Sequence, residues 1–223
     1  MNMLSGTFVF DMDEILVNIS PALYNTIRYY WAKYSLWFND LGSLSEKEVL
    51  DRPFFMISDW LIKDVYKDEN GKIKAAVKKI IFNNLLDDFF KTDIYSELTP
   101  TDFAVKTVMN PSFIEHERVK KVIILTRINC EEMVPFKDAF INKWFNHQKI
   151  DVKICDFHEK KSDYLKNVSW NLYVDDEIGN IRDVAENFDL SGKEFLVPNF
   201  GYNKLPMDLA ILIREKGGVI NYY

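Results

Sequence analysis

Two carboxylates, Asp11 and Asp13, stand two residues apart directly after the apolar run Thr7-Phe8-Val9-Phe10. In an extended segment alternate residues face the same way, so both acids can meet one ligand. One can then attack while the other manages a proton. Thr126 closes a second apolar run, Val122-Ile123-Ile124-Leu125, and the pair Asp175-Asp176 closes another, Asn171-Leu172-Tyr173-Val174. Lys161, with Lys160 beside it as an alternative, opens a short helical segment just before that last run. Carboxylates, a hydroxyl and an ammonium gathered at strand ends are the groups that phosphoryl transfer needs. Singly, each has an ordinary explanation: strand-end Asp and Thr cap turns, and a lone Lys is a solvated charge. The informative feature is their joint order along the chain. Arg127, next to Thr126, is either a bidentate phosphate clamp or half of a surface ion pair. The three histidines, His116, His147 and His158, lack metal-site spacing, and Cys130 has no histidine partner placed by sequence.

Positioning those residues requires a sheet. Apolar runs of four or five residues bounded by polar ones suit strands buried on both faces. Five are present: 7–10, 122–125, 151–155, 171–174 and 194–197. The third alternates more and belongs nearer an edge. Helical periodicity occupies Glu131 to Trp144, Lys161 to Lys166, Ile178 to Phe188 and Met207 to Lys216, the last stopped by Gly217-Gly218. This alternation predicts an α/β fold, a Rossmann-like parallel sheet sandwiched by helices with right-handed crossovers. Such sheets bind ligands at the carboxyl ends of their strands, near the switch point.

Over a hundred residues separate the first run from the second, and most have a helical pattern. Helices are expected over Pro21 to Leu36, Ser45 to Leu50 (opened by the capping box Ser45/Glu48), Phe54 to Tyr66 and Lys72 to Phe90, with a turn at Gly71. The sheet region resumes at Leu98-Thr99-Pro100, followed by a helix over Asp102 to Met109. The expected organisation is a core of residues 1–17 and 98–223 with a helical cap domain, 18–97, inserted in it. Aromatics of the insertion such as Tyr24, Trp31 and Trp60 read first as its own packing, with a few available to a ligand.

Composition narrows the classes. Of 223 residues, 28 are Lys or Arg and 34 Asp or Glu, a net charge of −6. That balance, with a pI near 5.2, argues against a duplex-binding protein, which needs a basic surface. The Lys72, Lys74, Lys78 and Lys79 group is the one candidate basic patch, and it reads as a solvated helix face. Two cysteines exclude a disulfide framework and a four-cysteine zinc site. No apolar stretch reaches the roughly 18 residues of a membrane span. The first ten residues lack a charged leader region, so a cytoplasmic protein is expected. Oligomeric state is not legible.

Together the four motifs resemble those of the haloacid-dehalogenase (HAD) superfamily of phosphohydrolases, over about 1–17 and 98–200. The first is Phe8-Val9-Phe10-Asp11-Met12-Asp13-Glu14-Ile15-Leu16, the second Ile123-Ile124-Leu125-Thr126, the third Lys161-Ser162-Asp163-Tyr164-Leu165, and the fourth Asp175-Asp176 with Asn180. The insertion resembles helical caps of nucleotidases and phosphoglycolate phosphatases. The resemblance implies a Mg²⁺-dependent phosphomonoesterase with Asp11 as nucleophile and metal ligand. It also implies that Asp13 holds the metal by its backbone carbonyl and shuttles the proton by its side chain. Asp176 and Asp175 would complete the metal site, while Thr126 and Lys161 would bind the phosphoryl oxygens. Chemistry agrees, since a carboxylate approaches a dianionic phosphate only if a hard cation offsets the repulsion. Two departures stand out: Glu14 where glycine is commonest, and Ile15 for the usual Thr or Val. The expected substrate is a small phosphorylated metabolite, a nucleotide by preference. The alternatives are a phosphatase of nucleic-acid termini and a catalytically silent binding module.

Overall fold

Alternation along the first strand, β1 (Gly6–Phe10), sets the layers of the molecule. Val9 points one way, into a cluster with Trp170, Tyr173, Phe195 and Leu209. Phe8 and Phe10 point the other way, against Phe113 and Phe103. A strand apolar on both faces must be covered on both. The structure, a computed structural model, describes residues 5–19, 22, 25, 38–39, 62–77, 79, 91, 93–128, 130–156, 158–199 and 204–223.

Five more strands complete one sheet: β2 (Val119–Arg127), β3 (Ile150–Cys155), β4 (Trp170–Val174), β5 (Glu194–Val197) and β6 (Val219–Tyr222). The order is β3-β2-β1-β4-β5-β6, and every pair is parallel. The expected parallel α/β sheet is therefore present, with β3 at an edge. Strand order runs outward in both directions from β1, which places the switch point between β1 and β4. Phe10 lies in register with Val174, and the Asp11 N–H donates to the Val174 carbonyl at 2.8 Å. The residues that follow, Asp11 and Asp175, leave the sheet side by side.

The helices of this unit are α1 (Asp102–Lys106), α2 (Pro111–Ile114), α3 (Met133–Trp144), α4 (Lys161–Leu165), α5 (Ile178–Asn187) and α6 (Met207–Glu215). Leu165, Ile181, Val184, Ala185, Leu209 and Ile213, from α4, α5 and α6, join the cluster around Val9. The helix expected over Asp102 to Met109 is shorter than its pattern. Thr101 caps its start, accepting from the Ala104 N–H. The Thr107 hydroxyl takes the Phe103 carbonyl at 2.6 Å, and Asn110 with Pro111 starts α2. The sheet also has a sixth strand that the sequence reading lacks. Gly217, at φ 83°, reverses the chain after α6, and Val219–Tyr222 then pairs with β5. Only glycine takes that conformation without strain.

The chain divides into two compact units, residues 1–18 with 95–223, and residues 19–94. Most of the helices expected in the second unit lie outside the described residues, and the described part differs from expectation. Asp64–Tyr66 is a 3-10 turn, Lys67 bridges Ile73 antiparallel, and the helical stretch begins at Ala75 rather than Lys72. The cause is local. The Asp68 carboxylate accepts from the N–H groups of Asn70 and Lys72, both at 2.9 Å, closing a turn that holds Gly71 at φ 73°. No helix among the described residues is long and apolar enough to cross a membrane.

Candidate active site

Asp11 and Asp175 sit at the carboxyl ends of adjacent strands β1 and β4, and Lys161 joins them. Its Nζ lies 2.7 Å from Asp11 Oδ1 and 2.8 Å from Asp175 Oδ2. Parity explains the meeting, since Asp11 follows Val9, and Asp175 follows Tyr173, toward the face that α4 covers. Lys161 is the first residue of α4, whose opening turn is anchored by the Ser162 N–H on Asp183, 3.0 Å away. The sequence left Lys160 as an alternative. Lys160 is exposed, its Nζ 3.8 Å from Asp183, whereas Lys161 is buried.

Asp175 is fully engaged. Besides Lys161 it accepts from the Tyr173 hydroxyl at 2.7 Å, the Glu177 N–H at 2.9 Å and the Asn180 amide at 3.2 Å. One oxygen each from Asp11, Asp175 and Asp176 lie within 4.8 Å of one another. Three carboxylates against one ammonium leave negative charge in excess. Burial pushes the Asp11 carboxyl up to about 7; Lys161 opposes the shift, and Asp175 and Asp13 add to it. Burial works against the Lys161 ammonium, but Asp11 and Asp175 outweigh it and hold its pKa above the ordinary lysine value. Burial, then Asp175, raises the Tyr173 phenol well above its usual range. The oxygen-only donor set and the charge excess fit a hard divalent cation such as Mg²⁺.

Asp13 is not in that trio by its carboxylate. Its Oδ1 accepts from the Tyr95 hydroxyl at 2.9 Å and its Oδ2 from Lys137 Nζ at 2.7 Å. The Lys137 ammonium also donates to Thr126 Oγ1 at 2.6 Å. Thr126 lies inside β2 rather than after it and is fully buried. Arg127 is half-buried, one nitrogen donating to the Glu159 carbonyl at 3.1 Å and another 3.7 Å from Glu177. Burial, then Asp175, raises the Glu177 carboxyl, with Arg127 and Lys161 opposing.

Two contributors escaped the sequence reading. Lys137 carries a signal, because it stands four residues from both Met133 and Ile141 on the buried face of α3. A lysine at an apolar-face position is an anomaly that periodicity exposes. Tyr95 carries none, being one aromatic among many at the end of the expected insertion. Burial, then Asp13, raises its phenol well above the usual value.

Comparison with solved structures places this architecture. A haloacid dehalogenase-like hydrolase from Bacteroides fragilis is 12% identical, with 98% of this chain and 97% of that one covered at a TM-score of 0.55. The HAD-hydrolase YfnB from Bacillus subtilis, bound to magnesium, is 12% identical, with 96% and 99% covered at a TM-score of 0.51. The chain has the haloacid-dehalogenase-like fold. In this HAD-like core Asp11, Lys161 and the Asp175-Asp176 pair meet at the switch point, and Thr126 is joined to Asp13 through Lys137. No family model matches the chain. Among curated proteins, rat 25-hydroxycholesterol 7-alpha-hydroxylase is 24% identical over 123 residues, 48% of this chain and 29% of that protein. The chain thus spans under a third of that relative, and a likeness so partial carries no functional argument.

Proposed function

We propose that the protein is a Mg²⁺-dependent phosphomonoesterase working through a phosphoryl group carried on Asp11. One observation carries the reading: Lys161 bridges Asp11 and Asp175 at the switch point, within a trio of carboxylates that a cation would complete. Fold alone would not support it. That a neighbour of the same fold, YfnB, binds magnesium is consistent with it.

Asp11, Asp175 and Asp176 would hold the ion, with the Asp13 backbone carbonyl as a further ligand. Bound there, Mg²⁺ would offset the repulsion between a phosphate dianion and the Asp11 carboxylate. An Asp11 oxygen attacks phosphorus as the bond to the leaving oxygen breaks, and the Asp13 carboxyl gives that oxygen its proton. Water then attacks phosphorus and returns a proton to Asp13, and the bond to Asp11 breaks. Lys161 and the Thr126 hydroxyl face the equatorial oxygens, where charge must be neutralised. Arg127, tied to Glu159 and Glu177, is a rim group.

The substrate class we favour is a small phosphorylated metabolite, in particular a nucleotide. Residues 18–97 would act as a cap that excludes water and selects by shape, and their aromatics would suit a base. The test uses purified protein with Mg²⁺ and a panel of phosphorylated metabolites. We expect hydrolysis that EDTA abolishes, and a loss of at least about a thousandfold in Asp11→Asn with the fold retained. Hydrolysis untouched by either treatment would defeat the reading.

A further inference from the structure

Lys137 is fully buried, and a lone ammonium in an apolar layer is costly. Its neighbours on the buried face of α3 are Met133, Phe140 and Ile141, so methionine or leucine would serve packing as well. What distinguishes lysine is its three donor hydrogens and lack of any acceptor. One reaches Asp13 Oδ2 at 2.7 Å and another Thr126 Oγ1 at 2.6 Å. The Tyr95 ring lies 5.5 Å away and contributes a cation–π contact. The same Tyr95 donates its hydroxyl to the other Asp13 oxygen.

Two consequences follow from donor and acceptor counting. Each Asp13 oxygen is held by one donor, so the carboxylate plane cannot rotate, yet each oxygen keeps a lone pair to exchange a proton. A Thr126 oxygen that accepts from an ammonium must turn its own hydrogen elsewhere, and a bound anion is the partner that would receive it. One buried side chain therefore sets both the proton-handling carboxylate and a phosphoryl-facing hydroxyl.

We propose that Lys137 is a positioning residue that, with Tyr95, holds Asp13 for proton transfer to the leaving group and orients the Thr126 hydroxyl. This rests on the phosphomonoesterase reading above. Its signature is dependence on the leaving group. An alkyl phosphate needs a proton delivered to its departing oxygen, whereas 4-nitrophenyl phosphate releases a stable anion and hardly does.

The experiment measures kcat and KM for both esters, with saturating Mg²⁺, in wild type, Lys137→Met, Tyr95→Phe and Asp11→Asn. Lys137→Met keeps length and apolar volume. We expect its kcat/KM, which reports the steps up to departure of the leaving group, to fall about 100-fold or more on the alkyl ester and no more than about tenfold on the nitrophenyl ester. Tyr95→Phe deletes one hydroxyl and should lose about tenfold on the alkyl ester and about twofold on the other. If Lys137→Met fails to fold, Tyr95→Phe decides alone. Equal proportional losses on the two esters, or no loss, overturn the proposal while leaving the phosphatase reading intact. Wild type inactive on both esters, or Asp11→Asn as active as wild type, defeats that reading itself and the proposal with it.

Discussion

Glu14 directly follows Asp13 and has a φ of 60°, in the left-handed region that glycine enters freely. The turn it belongs to is tight: the N–H groups of Leu16 and Val17 both donate to the Met12 carbonyl, at 2.8 and 3.0 Å. Ile15, Leu16 and Val17 are buried beneath it, and the Thr101 hydroxyl takes the Ile15 carbonyl at 2.6 Å. This gives the departure from glycine a physical meaning, because a side chain here costs roughly 1–2 kcal/mol of backbone strain. Glu14→Gly should accordingly be more stable than Glu14→Ala by about 1 kcal/mol, the reverse of the order inside a helix. Urea unfolding of the two variants measures the difference. A more stable alanine variant would contradict the left-handed backbone at this position.

Strand β4 links the core to the candidate site. Trp170, at its start, is fully buried, edge-on to Phe188 at 5.9 Å and to Phe195 at 5.7 Å. Tyr173, in the same cluster, sends its ring into the core and its hydroxyl to Asp175. Packing on this face thereby fixes the orientation of an acid at the strand's end. Trp170→Ala should cost about 3–5 kcal/mol and lower the melting temperature by roughly 10 °C, read by calorimetry. A loss below about 1 kcal/mol would show that the cluster tolerates a void and does not anchor the strand. α4 works on a smaller scale, five residues long, with Lys161 aimed inward while Ser162 and Leu165 hold its buried side.

At the scale of the whole molecule, three carboxylates meet one lysine at the switch point. Asp11 has its carboxyl raised to about 7 in the metal-free protein, against an ordinary value near 4 when unfolded. Between those pH values the folded state holds a proton that the unfolded chain has lost. Stability of the metal-free protein therefore falls as pH rises from about 4 to about 7, and the penalty is complete above. A cation bound at the trio takes the place of that proton. Mg²⁺ should raise the melting temperature more at pH 8 than at pH 5, and Asp11→Asn should flatten the pH dependence of the metal-free protein in this window. Thermal scans at both pH values, with and without Mg²⁺, make the comparison. An equal increment at both, or a larger one at pH 5, would contradict the charge excess at Asp11.

By itself the sequence determined the parallel sheet and most of what stands at its carboxyl edge. Buried strands write themselves as short apolar runs, and the polar residues ending those runs fall at one edge because the strands are parallel. Asp11, Thr126 and Asp175 were legible for that reason, and Lys161 for its place at the start of the short helix before the run that Asp175 closes. Tertiary structure decided the rest. Register put Asp11 beside Asp175, and burial separated Lys161 from Lys160, a distinction that adjacency in sequence does not contain. Lys137 was half-visible as a charge on an apolar stripe, but its partners Asp13 and Thr126 lie 124 and 11 residues away, and only packing brings them together. β6 and the delayed start of the helix after the expected turn at Gly71 were missed because four-residue edge strands and side-chain-closed loops leave almost no periodic trace. Tyr95 could not be distinguished among its aromatic neighbours, since hydrophobic patterning records that a ring is buried and not which hydroxyl finds a carboxylate.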